Sequence, residues 1–488
     1  MNRKLKTILM SLMLFGLITN AILIQSCKQK ETKRESVLDN ISHVEDSIYL
    51  KIDSLPRLCD ELEMKGQMID IGDCKLYCEV EGKGKGMPLI LINGGPGGTH
   101  HCFHPWFNRA GKFMQVIYYD QRGCGQSEYI AGDGYTFRQA IDDLDKLRIK
   151  LGIEKWTVCG YSYGGALAQY YTAVYPERVA GLVLMSASPL LHNDAIYKSR
   201  QMQFISEEEK QRISEIYALY DENKINLFQA MYNKEINGDW KRQSFYKPSK
   251  EEAIRSALYE WIHDTNFNPI MGASYSRYDF QHVFDNNPIP TLICEGKWDL
   301  TWSAEKAAIF KENHPNAQLV LFEKSGHNTY CEEPDLFFST LKNFVDTLKP
   351  VQSEKIAAWK TQAMQIIVPQ EEHFNREAQF FTLVKKEGAD EAYKQYLAFK
   401  KNNVDKQMFS ESGMNNLGYD YLYTNDYEQA IKLFQMNVDA YPESSNVYDS
   451  LGEAYLKAND KKRAKEFYAK SLELDPNNEN AKKILSNL

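Results

Sequence analysis

The sequence lacks the features that identify several large classes of protein. It has no excess of basic residues, because 58 lysines and arginines stand against 66 aspartates and glutamates, for a net charge of -8. This balance gives no indication of a nucleic-acid partner. The sequence has no CxxC pair and no Cys/His cluster with the spacing of a zinc site. Beyond the N-terminal segment, no apolar run is long enough to cross a bilayer.

Length and composition instead favour a multidomain globular protein. A single hydrophobic core rarely grows beyond about 250–300 residues. The 488 residues therefore predict at least two folded units. The residues are 43% hydrophobic and 25% charged, which is enough apolar material for a core and argues against global disorder.

Residues 1–26 have the pattern of a secretory signal peptide. The segment begins with three basic residues, Arg3, Lys4 and Lys6. An apolar stretch over residues 8–24 follows, and Ser26 then precedes Cys27. The pattern resembles the lipobox of bacterial lipoproteins, which implies cleavage before Cys27 and acylation of its thiol and new amine. An uncleaved membrane anchor is the alternative. In both cases we expect a tether over residues 27–64 and a location in the cell envelope, outside the cytoplasm.

Nine cysteines leave the disulfide pattern open. An exported compartment permits disulfides, but the spacing does not pair the thiols. Cys74 and Cys78 are predicted on one strand, about 13 Å apart, which is too far for a bridge between them. Cys159 and Cys294 fall in apolar runs typical of central strands, where a free, buried thiol is common.

Residues 65–349 alternate short apolar runs with helical patterns, which predicts an α/β fold. Strands are predicted at 67–71, 74–80, 88–93, 115–119, 155–160, 179–185, 290–295 and 317–322. Helices are predicted at 101–113, 137–151, 163–176, 302–313 and 334–348. The later strands are continuously apolar, so we expect a mostly parallel, doubly wound sheet covered on both faces. The strand pattern stops at about 190–286, where a Tyr-rich helical stretch predicts a cap.

After residue 350 the sequence predicts only helices, and it repeats itself at an offset of 34 residues. The identical positions between residues 414–447 and 448–481 include Leu417, Gly418, Tyr421, Leu422, Asn425, Asp426, Ala430 and Pro442, which meet Leu451, Gly452, Tyr455, Leu456, Asn459, Asp460, Ala464 and Pro476. The period resembles that of tetratricopeptide repeats, whose helix pairs stack to bury their apolar faces. We expect residues 353–488 to form a helical repeat domain that either extends the fold or binds a protein partner.

The segment 160–164 (GYSYG) follows a predicted strand and opens a predicted helix. G-x-S-x-G in this setting is a nucleophile elbow, in which a sharp turn presents the serine hydroxyl. Asp299 and His327 each follow a later predicted strand, in the order serine, acid, histidine. The sequence therefore predicts a triad of Ser162, Asp299 and His327. His282 and Asp285, in the predicted cap, are the alternatives for the base and the acid.

Six motifs resemble those of the proline iminopeptidase branch of the α/β-hydrolases: NGGPGG (93–98), DQRGCGQS (120–127), GYSYGG (160–165), YPERVAGLVL (175–184), GKWD (296–299) and SGH (325–327). The resemblance implies an oxyanion hole formed by the amides of Gly95 and Tyr163. It also implies that the segment around Arg122 supports the site and does not react. Asn93 stands where the glycine loop of this family usually begins with histidine.

Aminopeptidases of this family hold the free amine of the substrate with acidic side chains, largely from the cap. Glu260 and Asp279 are the candidates for this role, with an ordinary solvated carboxylate as the alternative for each. Leu300 follows the predicted acid at a position where some relatives carry another acid. This difference weakens the aminopeptidase interpretation relative to the more general hydrolase interpretation.

Together these residues predict a serine hydrolase that forms an acyl-enzyme and needs neither a metal nor an organic cofactor. The first hypothesis for its activity is an aminopeptidase that releases N-terminal residues from short peptides. A carboxylesterase or general amide hydrolase would use the same triad without an acidic anchor. The alternative from another class is a membrane-tethered interaction protein whose repeats bind a partner.

Overall fold

An eight-stranded sheet organises the first part of the chain in the computed structural model. Its strands are β1 (Gln67–Asp70), β2 (Lys75–Glu81), β3 (Leu89–Ile92), β4 (Val116–Tyr119), β5 (Trp156–Tyr161), β6 (Val179–Met185), β7 (Thr291–Gly296) and β8 (Gln318–Phe322). Their order in the sheet is β1-β2-β4-β3-β5-β6-β7-β8. The β1–β2 and β2–β4 pairs are antiparallel, and all later neighbours are parallel. The predicted mostly parallel α/β sheet is confirmed.

The structure describes residues 65–488 except 105, 131–133, 194, 197–205, 223, 226–244, 247–266 and 404–405. The predicted signal peptide, Cys27 and Glu260 lie outside the described residues. The chain divides between Ile366 and Ile367 into two compact units. None of the helices in the described part is long and apolar enough to cross a membrane.

Within the described residues, seven α-helices accompany the sheet: α1 (Phe137–Lys150), α2 (Tyr163–Val174), α3 (Glu207–Asp221), α4 (Phe267–Tyr275), α5 (Lys306–Asn313), α6 (Thr329–Glu332) and α7 (Pro334–Asp346). The helices α3 and α4 lie in the region predicted as a cap. Every residue of β3, β4, β5 and β7 is buried, as expected for strands covered on both faces.

The helix predicted near residues 101–113 is divided in two and is not an α-helix. Two 3₁₀ segments occupy this stretch, at His100–Phe103 and Trp106–Lys112. His104 between them is extended, with φ -86° and ψ 143°. In the sequence His104 precedes a proline, and the residue before a proline is sterically driven away from the helical region.

The position of β3 creates the crevice in which a site can form. The chain passes from β3 to β4 on one side, and β5 then pairs with the other side of β3. Ligands of open α/β sheets bind outside the carboxyl ends of the strands at such a reversal of strand order. The loop 93–98 follows β3 and Ser162 follows β5, so both lie at this point.

All seven cysteines in the described part of the chain are free thiols. Cys159 lies in β5 and Cys294 in β7, and both are fully buried, as predicted from their apolar surroundings. Cys74 is also buried and directly precedes β2, which contains Cys78.

The second compact unit is helical, as predicted. From residue 353 the helices are α8 (Ser353–Glu387), within which the two units divide, α9 (Ala389–Asn402), α10 (Glu411–Tyr423), α11 (Tyr427–Ala440), α12 (Ser445–Lys457), α13 (Lys461–Leu474) and α14 (Glu479–Asn487). The predicted limits of the two domains, 65–349 and 353–488, stay a prediction.

The repeat of 34 residues is visible in the packing of the second unit. A Cβ at Gly418 would meet the ring of Phe434 at 2.6 Å, and one at Gly452 would meet the ring of Tyr468 at 3.0 Å. Asn425 and Asn459 both have φ 64°, in the left-handed region that ends a helix. The aspartate after each asparagine caps the next helix through its side chain. Equivalent residues therefore form equivalent contacts in the two helix pairs.

Candidate active site

Ser162 lies on a sharp turn between β5 and α2. Its φ is 54° and its ψ is -122°, a conformation that L-residues rarely adopt and that is typical of strained functional positions. The Ser162 amide donates to Met185 O at 3.0 Å, and the Ser162 carbonyl accepts from Ser188 N at 2.9 Å. The end of β6 and the segment after it therefore hold the turn in place.

The glycines beside Ser162 occupy positions with no room for a side chain. A Cβ at Gly160 would lie 2.2 Å from Gly164 O, and a Cβ at Gly164 would lie 2.2 Å from Ile92 O. The turn thus passes directly against α2 and the end of β3. Both glycines of the G-x-S-x-G pattern are needed for this close packing.

Asp299 and His327 form a buried pair. His327 Nδ1 lies 2.7 Å from Asp299 Oδ2, and Asp299 Oδ1 accepts from Thr301 N at 3.0 Å. Burial acts to raise the pKa of Asp299, but His327, Lys306 and the Thr301 amide together outweigh burial, and the pKa is lowered. Asp299 is therefore an ionised acceptor that holds the imidazole with Nε2 directed away from it.

Three loops that are distant in the chain meet at this pair. The ring of Tyr161, the residue before Ser162, lies 5.0 Å from the ring of His327. The Tyr161 hydroxyl also donates to Asn328 Oδ1 at 2.8 Å. On the acid side, a Cβ at Gly296 would lie 1.8 Å from Gly326 O, so the loops after β7 and β8 are in contact. The structure thus brings the regions of Ser162, Asp299 and His327 to one site.

The glycine loop after β3 lies against the same turn. A Cβ at Gly94 would lie 3.2 Å from Ser162 Cβ. Gly95 has φ 128°, which favours glycine, and Tyr163 is the first residue of α2. The first amides of a helix have no acceptor within the helix and can bind an anion. These positions suit the oxyanion role predicted for the amides of Gly95 and Tyr163.

The segment after β4 supports the site through side-chain contacts. Gln121 Oε1 accepts from the Tyr163 hydroxyl at 3.3 Å. Arg122 donates to both carboxylate oxygens of Asp143 at 2.7 Å and to Asp73 Oδ2 at 2.9 Å. Arg122 is thus held by two carboxylates, in agreement with the supporting role implied by the family resemblance.

The predicted amine anchor in the described part of the chain, and the alternative base and acid, are more exposed than Asp299 and His327. Asp279 Oδ1 accepts from Gln281 N at 3.1 Å and from His192 N at 3.4 Å, and its side chain is partly exposed. His282 and Asp285 pair with each other at 3.0 Å, with side chains 68% and 42% exposed. This pair is exposed, whereas the side chains of His327 and Asp299 are only 8% and 4% exposed.

The sequence analysis missed a buried ion pair between Glu295, four residues before Asp299, and Lys306, seven residues after it. Lys306 Nζ donates to both oxygens of Glu295, at 3.0 and 2.8 Å, and both side chains are only 3% exposed. Burial raises the pKa of Glu295, Lys306 acts to lower it, and Asp299 raises it further. The sequence does contain a signal for this pair, a glutamate near the end of the apolar strand TLICEG. A charge predicted to be buried requires a partner.

Glu332, which the sequence analysis also did not identify, links the loop that contains His327 to the cap. Glu332 accepts from Gly326 N at 2.6 Å and from Tyr246 N at 2.6 Å. The Tyr246 ring stacks on Trp298, which precedes the predicted acid, with 5.3 Å between ring centroids. One carboxylate therefore connects the residue before His327 to a described segment of the cap.

Comparison with known proteins agrees with this architecture. Residues 87–334 match the family model described as the alpha/beta hydrolase fold, and residues 445–478 match the tetratricopeptide repeat. A proline iminopeptidase of Saccharolobus solfataricus is 28% identical over 279 residues, which cover 54% of this chain and 86% of that protein. One from Neisseria meningitidis serogroup B is 27% identical over 296 residues, covering 56% and 93%.

Solved structures of similar fold include an esterase from Exiguobacterium antarcticum. It is 23% identical, with a TM-score of 0.45, and the match covers 58% of this chain and all of the esterase chain, 100%. The family match spans half of the sequence and includes every strand from β3 to β8. The chain therefore belongs to the α/β-hydrolase fold family and carries a C-terminal tetratricopeptide repeat.

Proposed function

We propose that this α/β-hydrolase is a serine hydrolase in which Ser162 is the nucleophile, His327 the base and Asp299 the orienting acid. The observation that carries the proposal is the buried His327–Asp299 contact of 2.7 Å, at the site to which the strained turn of Ser162 also belongs. The position after β5, at the reversal of strand order, adds support because ligands of such sheets bind there.

The proposed reaction has two halves. His327 Nε2 takes the proton of Ser162 Oγ while this oxygen attacks the substrate carbonyl, and the amides of Gly95 and Tyr163 donate to the oxyanion. His327 then gives the proton to the leaving group, which departs and leaves an acyl-enzyme. Water attacks the ester carbonyl by the same route, releases the acid and returns the proton to Ser162.

Within this class we propose an aminopeptidase that acts on short peptides. The support is that the relatives named above are proline iminopeptidases, matched over most of their length. Such an enzyme must bind a protonated amine, and Asp279 and Glu260 are the proposed carboxylates. The support for Asp279 is that its carboxylate accepts from His192 N and Gln281 N next to the segment after β6.

The first experiment compares a proline arylamide that has a free amine with the same compound carrying a blocked amine. Each is tested with the wild type, with Ser162→Ala and with Ser339→Ala, which removes an exposed hydroxyl on α7. We expect turnover of the free-amine compound alone, a loss of roughly 10⁶-fold in kcat for Ser162→Ala, and no change for Ser339→Ala.

Other results would change the proposal in defined ways. Equal or faster turnover of the blocked compound would exclude the amine anchor and indicate a carboxylesterase or general amide hydrolase. Turnover that persists in Ser162→Ala would exclude the triad. A complete lack of turnover, with a broad panel of esters and amides, would favour an interaction protein whose repeats bind a partner.

We also propose that the enzyme is anchored in the cell envelope by a lipid on Cys27. The supporting pattern is the basic and apolar segment that ends at Ser26. Metabolic labelling with a fatty acid should label the wild type and not Cys27→Ser, and the labelled chain should sediment with membranes. A chain that sediments unlabelled would instead indicate an uncleaved anchor.

A further inference from the structure

Three side chains outside the proposed triad bring potential metal-binding atoms close together. Glu79 lies in β2, His100 begins the first 3₁₀ segment after β3, and His104 directly follows that segment. His100 Nε2 lies 3.3 Å from Glu79 Oε1, and His104 Nε2 lies 3.3 Å from Glu79 Oε2. All three ligand atoms lie within 4.8 Å of one another.

These separations match those of ligands around a small metal ion. Zn–N and Zn–O bonds measure about 2.0–2.2 Å in a tetrahedral site, so two neighbouring ligand atoms are about 3.3–3.5 Å apart. His100 Nε2 lies at such a distance from Glu79 Oε1, and His104 Nε2 lies at such a distance from Glu79 Oε2, so the carboxylate faces both imidazoles. Two imidazoles and one carboxylate form a donor set that suits borderline divalent ions such as Zn²⁺.

Neither imidazole completes a hydrogen bond at this point. His100 Nε2 and His104 Nε2 are both buried, and neither makes a hydrogen bond within the described part of the chain, despite the nearby carboxylate. His100 is only 1% exposed. Both nitrogens face the Glu79 carboxylate at 3.3 Å, a contact that protonated imidazoles would use as an ion pair and that a shared metal ion would replace.

The surroundings orient these ligands as in known metal sites. His100 Nδ1 lies 2.9 Å from Asp120 Oδ1, which also accepts from the His100 amide at 2.8 Å. A metal-binding histidine typically donates its other ring N–H to a carboxylate in this way. The Tyr77 hydroxyl donates to Glu79 Oε1 at 2.6 Å and orients that carboxylate.

We propose that Glu79, His100 and His104 bind one divalent transition-metal ion, for which Zn²⁺ has the best-fitting chemistry. The side chains of Glu79 and His104 are 11% and 14% exposed, so the site lies just beneath the protein surface. His100 follows the glycine loop 93–98 by two residues. The ion would therefore fasten the end of this loop to β2, and its role is structural.

A proton competes with the metal ion for the His100 imidazole. Burial acts to lower the pKa of His100, but Asp120 and Glu79 outweigh burial and raise the pKa to about 9. Without metal, the imidazole therefore carries a proton at neutral pH, and metal binding must release it. Binding is best measured in slightly alkaline buffer.

The test uses the full chain, stripped with a chelator, and titrated with ZnCl₂ by calorimetry. We expect one Zn²⁺ per chain and a melting temperature that rises with Zn²⁺ concentration. Loss of an outer-shell partner typically weakens metal binding about 10–100-fold, so Glu79→Gln and His104→Gln should each weaken it by at least that factor. His282→Gln, which removes an exposed histidine, is the matched control and should bind as the wild type does.

Two measurements on the wild type avoid any dependence on how the variants fold. X-ray absorption of the zinc-loaded chain should show a shell of nitrogen and oxygen at about 2.0–2.1 Å with imidazole scattering. The cobalt-loaded chain should lack a thiolate charge-transfer band. Sulfur in either spectrum, no stoichiometric binding, or unchanged affinity in both variants would overturn the proposal. Hydrolase activity enters none of these readouts, so they are independent of the proposed function.

Discussion

At the residue scale, the buried pair of Lys306 and Glu295 controls the charge around Asp299. The ammonium contacts both carboxylate oxygens and also lies 5.1 Å from the centroid of the Trp302 ring. Lys306 acts to lower the pKa of Asp299 as well as that of Glu295. Removal of this one cation would leave two carboxylates near each other inside the protein.

We expect Lys306→Met to lower the free energy of unfolding by about 3–5 kcal/mol, because an unpaired charge stays buried. Adding Glu295→Gln to this variant should restore most of the loss, as both charges are then absent. Urea unfolding of the wild type, both single variants and the double variant measures this. Equal losses in the single Lys306 variant and the double variant would contradict the prediction.

The Lys306→Met variant should also show a defined pH dependence. A buried Glu295 without its partner has a raised pKa and takes up a proton on folding, so its penalty exists above the unfolded pKa near 4.5 and disappears below it. The stability difference from the wild type should therefore shrink as the pH falls towards that value. The same urea series, repeated at several pH values, would show this.

Asp73 provides a pH effect of opposite sign. Hydrogen bonds from Lys146 and then Arg122 lower the pKa of Asp73 from 3.8 to about 2. The stability from this group is thus present above the unfolded pKa and is lost as the pH falls from about 4 to about 2. Because Asp73 is 50% exposed, Asp73→Asn should cost only about 0.2–1 kcal/mol at neutral pH. A difference in urea midpoint that grows on acidification would refute this.

At the scale of elements, the turn between β5 and α2 depends on contacts with β3. A side chain at Gly164 would meet the carbonyls of Ile92 and Asn93 at 2.2 and 2.5 Å. These atoms are backbone, and they belong to the last residue of β3 and the first residue of the glycine loop. Any added atom therefore displaces the loop and the turn together.

We expect Gly164→Ala to destabilise the fold by about 1–3 kcal/mol or more through overpacking, and to reduce any Ser162-dependent turnover. Gly272→Ala is the matched control, since α4 leaves nothing within 4 Å of a Cβ there. That change should be neutral or stabilise by up to about 1 kcal/mol, because alanine favours the helix. Thermal unfolding of both variants is the measurement, and equal effects would contradict the packing argument.

The helix pairs of the second unit show how a repeat encodes an element. Each pair needs a glycine under an aromatic ring, an asparagine in the left-handed conformation and an aspartate that caps the next helix. These requirements are local, so they recur at the same offset of 34 residues in the sequence. Their recurrence is the reason that the repeat was predictable.

At the scale of the molecule, the first compact unit extends into α8. Trp359 is 2% exposed, and its Nε1 donates to Val283 O at 2.8 Å. Its ring also lies 5.6 Å from that of Phe284. The first turns of α8 thus belong to the unit that contains the sheet, although sequence analysis placed the start of the repeat domain at residue 353.

We expect Trp359→Ala to destabilise the unit containing the sheet by about 3–5 kcal/mol, as a large buried side chain is lost. Lys355→Ala, at an exposed position of the same helix, should change stability by less than about 0.5 kcal/mol. A chain that ends at residue 366 should likewise be more stable than one that ends at 349. Equal stability of the two shortened chains, measured by urea unfolding, would show that α8 is not needed.

The sequence by itself determined the fold class, the positions of the strands and the period of the repeat. It also predicted Ser162, Asp299 and His327, whose roles stay a prediction, because each follows a strand and strand ends gather at one edge of a parallel sheet. These features depend on local patterns of apolar residues, glycines and turns, which a single stretch of chain contains.

Tertiary structure alone decided which charged and polar groups meet. Glu79 contacts His100 and His104, Lys306 pairs with Glu295, and Trp359 packs on the sheet unit. Only the fold shows that these groups are buried. A buried charged or polar group requires a partner, which can be an opposite charge or, as proposed, a metal ion. Residues far apart in sequence have no local pattern that records such a contact, so sequence analysis missed them.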